Sequence, residues 1–410
     1  MNEFPKFYKV GAFALGVSNY LSFSGFAQII PVEIIAVIAM MFVSLRSGEK
    51  KFRIEAEHRS IFLFGFLWII AQAISNFINK SDFLESIKNI AQISVLLSLI
   101  YCGLYWAKRD SLILLYFFWG YLISSVPQYL FLPGLYGISD PWKFIFGPAL
   151  TLSLLLLASR LTSAKSTLLL MFFPLLLIDF LLGARSLGLI TILSVFMVLK
   201  VPLKQRGFTY SFFFLILISF LVIPVYSFYA NLASDGSLGT AQQEKFLRQT
   251  QAGPILLVAR SELIYELSAI RKTGILGLGS SPTVDNDFLQ GVALEEFKFG
   301  VNHQSTSAYN EYMLTKKIPS HSMLFAAWME AGVFGAIFWL YLTWLVLRNF
   351  FAATGRESNI GLAIRYLSVN FLWAVLFSPL GAGSRMLIAI TIILVLQKEI
   401  SKERQHETAN

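Results

Sequence analysis

Apolar residues in this chain come in long blocks, not in the period-2 or period-3.6 stripes by which a soluble domain separates a buried face from a wet one. Twelve blocks are legible, with cores at 7–23, 29–45, 61–78, 87–106, 111–131, 144–159, 166–182, 186–201, 210–229, 322–347, 360–379 and 385–397. The longer ones match the ~20 residues with which an α-helix crosses ~30 Å of hydrocarbon. Lipid offers a spanning backbone no water to bond with, so the pattern predicts an all-α polytopic membrane protein of about twelve transmembrane helices.

Lys and Arg between the blocks orient them. "RSGEKKFRIEAEHR" follows the second block, and "AKRD", "ASRLTSAK", "KVPLKQRG", "RNFFAATGR" and "KEISKERQ" follow the fourth, sixth, eighth, tenth and twelfth. The short odd-numbered connections are poorer in positive charge: "FSGFAQ" has no Lys or Arg and "LPGLYGISDPWK" has one. This alternation places both termini in the cytoplasm. It divides the chain into helices one to nine (1–229), a large outer loop (230–320), helices ten to twelve (321–397) and a cytoplasmic tail (398–410).

Composition agrees. The chain is 56 % hydrophobic and 14 % charged, with a mean hydropathy of +0.65, where a soluble domain carries about 25 % charge. The net charge of +9 marks cytoplasmic loops rather than nucleic-acid binding. The single cysteine, Cys102, lies in an apolar run and excludes a disulfide framework. The N-terminus lacks a small-residue cleavage site, so its apolar run is expected to be retained as a helix.

The outer loop breaks the scale of the other connections, which makes it the expected seat of function. It holds eight Lys/Arg and nine Asp/Glu, so it is not a polybasic lipid-binding arm. Within it, 253–282 predicts one helix, with Pro254 in its first turn and Gly274 at its C-terminal cap. Leu256, Leu263, Ile264, Leu267 and Ile270 mark the expected apolar face, with Arg260 on it and Glu262 and Glu266 off it. A guanidinium on a packing face must meet an anion, either a nearby carboxylate or a ligand. The "GILGLGSSP" that follows lets backbone approach a partner closely but lacks the spacing of a nucleotide loop. "DND" at 285–287 is better suited to a turn than to a cation, and no metal-binding constellation is present.

Other polar residues sit where lipid helices rarely tolerate them. Arg185 stands among Gly183, Ala184, Ser186 and Gly188, small neighbours that leave room for a ligand or a close helix. Asp179 lies six residues earlier, as an expected partner for Arg185. Arg385, in "LGAGSRML", is a further candidate substrate contact. His321 opens the tenth block, and Glu330 lies inside it as an expected tether to a neighbouring helix or loop. His303 is expected on a solvated loop.

Three pieces follow one another in a fixed order: "GARSLGLI", then "RSELIYELSAIRKTGILGLGSSP", then "SHSMLFAAWMEAGVFG". Together they resemble the O-antigen ligase and Wzy-type O-antigen polymerase superfamily. That family's second motif is an Arg, an aromatic about four residues on, and a closing "PLLGxGxxxF"; its third is "HNxxLxxxxExGxxG". The resemblance covers mainly residues 180–345. The chain departs from it at Ser322, where the family has Asn, at Tyr265, where the aromatic is a Trp one position earlier, and in lacking the Pro before "LGLG".

The resemblance implies a GT-C-like, metal-independent glycosyltransferase of the bacterial inner membrane that needs no cofactor. Its donor would be a saccharide on undecaprenyl diphosphate at the periplasmic face, and its acceptor a second glycan or lipid A–core. Membrane lipids and a chain-length-regulating co-polymerase are the other partners implied, and nucleic acid is not one. His321 would be the base, Arg185, Arg260 and Arg385 the substrate contacts, and Glu330, Asp179, His303 and Tyr265 supporting residues. Polymerase is preferred over ligase, since nothing marks a lipid A–core site. A flippase for lipid-linked saccharide is the reading from another class, but carriers usually show repeat symmetry and broken helices at the midplane.

Overall fold

The computed structural model describes residues 6–21, 29–45, 56–109, 111–132, 137–138, 140–161, 165–198, 227–258, 260–352 and 361–407. Most of the ninth apolar block, and the basic stretches at 46–55, 199–207 and 353–356, lie outside them. The protein is all-helical, 82 % helix, with no strand among the described residues. One isolated antiparallel bridge joins Thr283 and Lys317.

The first half consists of α1 (Lys6–Val17), α2 (Pro31–Leu45), α3 (Ala56–Ile78), α4 (Phe83–Arg109), α5 (Ser111–Ile123), α6 (Ser125–Phe131), α7 (Gly147–Leu161, entered through a π turn at Trp142–Phe146), α8 (Lys165–Leu181) and α9 (Arg185–Val198). Among the described residues, three helical stretches are long and apolar enough to cross a membrane: His58–Ile78, Phe83–Ala107 and Ile113–Phe131. Seven shorter apolar helices accompany them. Eleven of the twelve predicted blocks coincide with helix.

The bundle core joins α3 and α4 to the last helices of the chain. These are α15 (Met323–Ala331), α16 (Val333–Ala352), α17 (Gly361–Phe377) and α18 (Ala382–Glu407). Trp68 of α3 packs on Phe338 and Trp339 of α16, with ring centroids 5.1 and 5.8 Å away. At the α1–α5 crossing, a Cβ on Gly16 would stand 2.2 Å from the Phe117 carbonyl oxygen, and one on Gly120 would stand 2.1 Å from that of Phe13. Paired glycines of this kind let lipid-facing helices touch backbone to backbone.

The large loop is helical and packs on one end of the bundle. It holds a helical stretch at 227–234, then α10 (Thr240–Gln251), α11 (Ile255–Val258), α12 (Glu262–Thr273), α13 (Asn286–Lys298) and α14 (Ser307–Thr315). A small core of its own forms around Ile264, Tyr265, Phe288, Val292, Ala308 and Tyr312. Its contacts reach the α3–α4 turn, the start of α9 and the end of α17. Asn79 Nδ2 donates to the Gly277 carbonyl at 3.0 Å, Arg185 lies over the Tyr229 ring at 5.2 Å, and Arg260 donates to the Phe377 carbonyl at 3.4 Å. One end of the bundle therefore gathers connections that the charge pattern assigns to a single side.

Candidate functional site

The segment predicted as one helix is broken. α11 ends at Val258, and α12 starts at Glu262 after a turn through Arg260 and Ser261. The break rotates the expected apolar face. The buried residues of α12 are Glu262, Ile264, Tyr265, Glu266 and Ala269, whereas Leu267 is exposed. Both carboxylates that periodicity put outside thus point inward, because the loop uses them as hydrogen-bond acceptors.

Glu266 sets the position of the His321 segment. Its Oε1 accepts from Ser320 Oγ at 2.8 Å, from the His321 amide at 3.0 Å and from the Ser322 amide at 3.1 Å. Burial pushes its pKa up to about 7, against the lowering effect of these donors and of the His321 charge. Glu262 accepts from Ser307 Oγ at 2.8 Å and so fixes the start of α14. Two carboxylates four apart on one helix repel unless opposite partners meet them. That spacing, with no Lys or Arg on the same face, was a usable sequence signal for both.

Ser322 is the N-cap of α15. Its Oγ accepts from the Phe325 amide at 3.1 Å and donates to the Val375 carbonyl at 3.0 Å. Ser is among the strong N-cap residues, as Asn is, so this position suits a helix start. His321, just before the cap, is half-exposed. Its Nε2 faces Glu311 Oε2 of α14 at 3.1 Å. That bond raises its pKa; burial opposes the rise, and the nearby charges of Glu262, Glu311 and Glu266 add to it.

Arg260 meets the same end of α17. Its guanidinium lies over Phe377 and Trp373, 4.9 and 5.4 Å from the ring centroids, and NH1 reaches the Phe377 carbonyl. Desolvation lowers its pKa, partly offset by Glu262. Among the described residues no carboxylate pairs with it, and a guanidinium has five N–H donors to satisfy. Ser322 and Arg260 thus hold carbonyls two residues apart, at Val375 and Phe377. Arg260 and the His321 segment are therefore both anchored at the C-terminal end of α17.

Arg185 is the first residue of α9, half-buried, over Tyr229. Asp179 does not partner it as expected: its Oδ1 accepts from Trp142 Nε1 at 2.8 Å, inside the bundle. Arg385 is also corrected. It is fully buried, with Nε 2.7 Å and NH2 3.1 Å from the two oxygens of a fully buried Glu33. It clamps α18 to α2 and offers no face to a ligand. His303 is not solvated but packed between Glu296, Tyr265 and Tyr309. Tyr265 is a core residue of the loop with no exposed surface.

Glu330 ties α15 to two neighbours. Its carboxylate accepts from Asn89 Nδ2 of α4 at 2.9 Å and from the Ser281 amide at 3.0 Å. The glycine run beside it is a strap. Leu278 and Gly279 donate to the Met329 and Glu330 carbonyls, at 2.7 and 3.1 Å, and Val333 donates back to Ile275 at 3.0 Å. A Cβ on Gly277 would stand 2.1 Å from the Glu330 carbonyl carbon. "DND" begins a helix: Asp285 accepts from the Phe288 amide at 2.8 Å and caps α13.

No family model and no curated protein matches this chain.

Proposed function

We propose that the protein is a periplasmic-face glycosyltransferase of the bacterial inner membrane. It uses an undecaprenyl-diphosphate-linked saccharide as donor and joins repeat units of O-antigen or a related exopolysaccharide. The observation that carries this reading is Arg260, a half-buried guanidinium without a carboxylate partner among the described residues, anchored at the same end of α17 as the segment that carries a half-exposed histidine. The resemblance of the three ordered motifs to those of the O-antigen ligase and polymerase superfamily suggests the substrate class.

The chemistry follows from these groups. An acceptor hydroxyl attacks the anomeric carbon of the donor as the bond from that carbon to the diphosphate oxygen breaks, and the electron pair leaves with the diphosphate. Arg260 meets the developing charge bidentately, with Arg185 as a second cation. With Nε2 held by Glu311, His321 Nδ1 takes the proton of the acceptor hydroxyl. Arg385 and Glu330 belong to the scaffold.

Reconstitution with lipid-linked repeat units, with and without lipid A–core, tests the reading. A ladder of products made without lipid A–core is expected; a single capped species formed only with it would make the protein a ligase. No product with either acceptor would overturn the transferase assignment. His321→Ala should abolish transfer in folded protein, and Arg260→Lys should lower it by at least about tenfold, since an ammonium lacks the planar fork.

A further inference from the structure

The loop holds a second histidine built as carefully as the first. After α13 the chain turns back at Gly300, Val301 donates to the Glu296 carbonyl at 2.9 Å, and Asn302 donates to that of Ala252 at 2.7 Å. This places His303 with Nδ1 against the Glu296 carboxylate. Its ring lies parallel to Tyr265 of α12, 6.1 Å and 14° away, and edge-on to Tyr309 of α14 at 4.6 Å. Glu296 and Tyr265 are fully buried, and Glu296 Oε1 and the Tyr265 hydroxyl have no hydrogen-bond partner among the described residues. The His303 side chain stays 17 % exposed.

A carboxylate is buried at high cost unless it is paired. Here it is used to hold one imidazole nitrogen, which fixes the ring and leaves Nε2 to face outward, without a partner among the described residues. The groups around the ring are Glu296 from α13, Tyr265 from α12 and Tyr309 from α14, none of them a cation. Tyr309 and Glu311, the partner of His321, are two residues apart on α14 and so about 200° apart around it. The His303 cluster therefore lies across α14 from the transfer site and is distinct from it.

We propose that His303 Nε2 and the neighbouring Tyr309 form a binding subsite for saccharide hydroxyls of the acceptor chain. This rests on the glycosyltransferase reading: the diphosphate end of the donor goes to Arg260, so a sugar contact across α14 falls to the acceptor. An oriented imidazole nitrogen accepts from or donates to a hydroxyl, and the phenol ring gives a flat surface beside it.

The experiment uses the full chain in nanodiscs and, as probe, the host strain's own repeat-unit oligosaccharide, freed from its lipid by mild acid. Hydrogen–deuterium exchange without donor should show protection of 299–309 in the wild type and its loss in His303→Asn, whose amide still donates to Glu296. In the transfer assay the same variant should raise the acceptor KM about tenfold, the loss expected for one hydrogen bond, with kcat within about twofold. Protection and KM unchanged in His303→Asn would overturn the subsite, as would a fall in kcat at constant KM. If His303→Asn does not fold, Glu296→Leu removes the acceptor for Nδ1–H without leaving a buried charge unpaired, frees the ring and should raise KM in the same direction; an unchanged KM there also overturns it. A wild type that makes no product from lipid-linked donor defeats the transferase reading instead, a result separable from the exchange data.

Discussion

At the scale of residues, the behaviour of His321 follows from Glu311. The hydrogen bond raises the pKa of the imidazole. The stability contributed by this pair is therefore fully present below the unfolded histidine pKa, near 6.5, and is lost as pH rises through the higher folded value. A base must be neutral, so transfer should increase with pH through that same raised value. Glu311→Gln should move the acid limb of the pH–rate profile to lower pH, and an unmoved limb would show that another group titrates. Glu266 runs in the opposite sense to an ordinary paired carboxylate. Its folded pKa is up from 4.5 to about 7, so between those values the folded state holds a proton the unfolded state has lost. Stability then falls as pH rises, by on the order of 3 kcal/mol across the window. Glu266→Gln keeps the acceptor oxygen and should abolish this dependence; thermal unfolding in detergent between pH 4.5 and 7 measures it. The spacing of Glu262 and Glu266 hints that both need partners, but the partners themselves, Glu311 for His321 and the 320–322 segment for Glu266, are not legible in the sequence, because periodicity assigns Glu266 to the wet face of one continuous helix.

At the scale of elements, the site depends on two departures from regular helix. The first is the break at Arg260–Ser261. It frees the guanidinium from the register that Leu256 and Leu263 suggested and sends it to the end of α17. The second is Gly332, which ends α15 with φ +72° and lets α16 restart in a new direction. A Cβ there would stand 2.0 Å from the Ile275 carbonyl oxygen, so the turn and the 274–279 strap need each other. Gly277→Ala tests the strap. The new methyl has nowhere to go but the Glu330 backbone, an overpacking that costs about 1–3 kcal/mol. Faster hydrogen exchange at 274–281, with the bundle still folded, is the expected result; unchanged exchange would mean that the strap is held by other contacts. The motif "GILGLG" was visible in the sequence as a place of close approach. What it approaches came only from the fold, since the partner backbone lies about fifty residues further on.

At the scale of the whole molecule, the Arg385–Glu33 pair shows how far the sequence can mislead about a charge. Arg385 shares with Arg185 a setting of small neighbours, yet it closes the bundle between its second and last helices, 352 residues apart. Arg385→Ala leaves a buried carboxylate unpaired and should destabilise the protein by about 3–5 kcal/mol, whereas Arg385→Met with Glu33→Leu should be near neutral or stabilising. A double-mutant cycle of thermal unfolding in detergent decides this; a small loss for Arg385→Ala alone would mean that solvent reaches the pair. The sequence by itself determined the helical class, the positions of the apolar blocks and the separate large loop. Those features rest on hydrophobicity and backbone hydrogen bonding within one segment, which local residues are enough to specify. It also marked Arg260 and His321 as charges that needed an explanation. Only the tertiary structure decided which charges were already answered. A carboxylate that neutralises Arg385, holds His303 or anchors the His321 segment comes from a distant or differently facing part of the chain, and electrostatic pairing depends on distance in space rather than along the sequence.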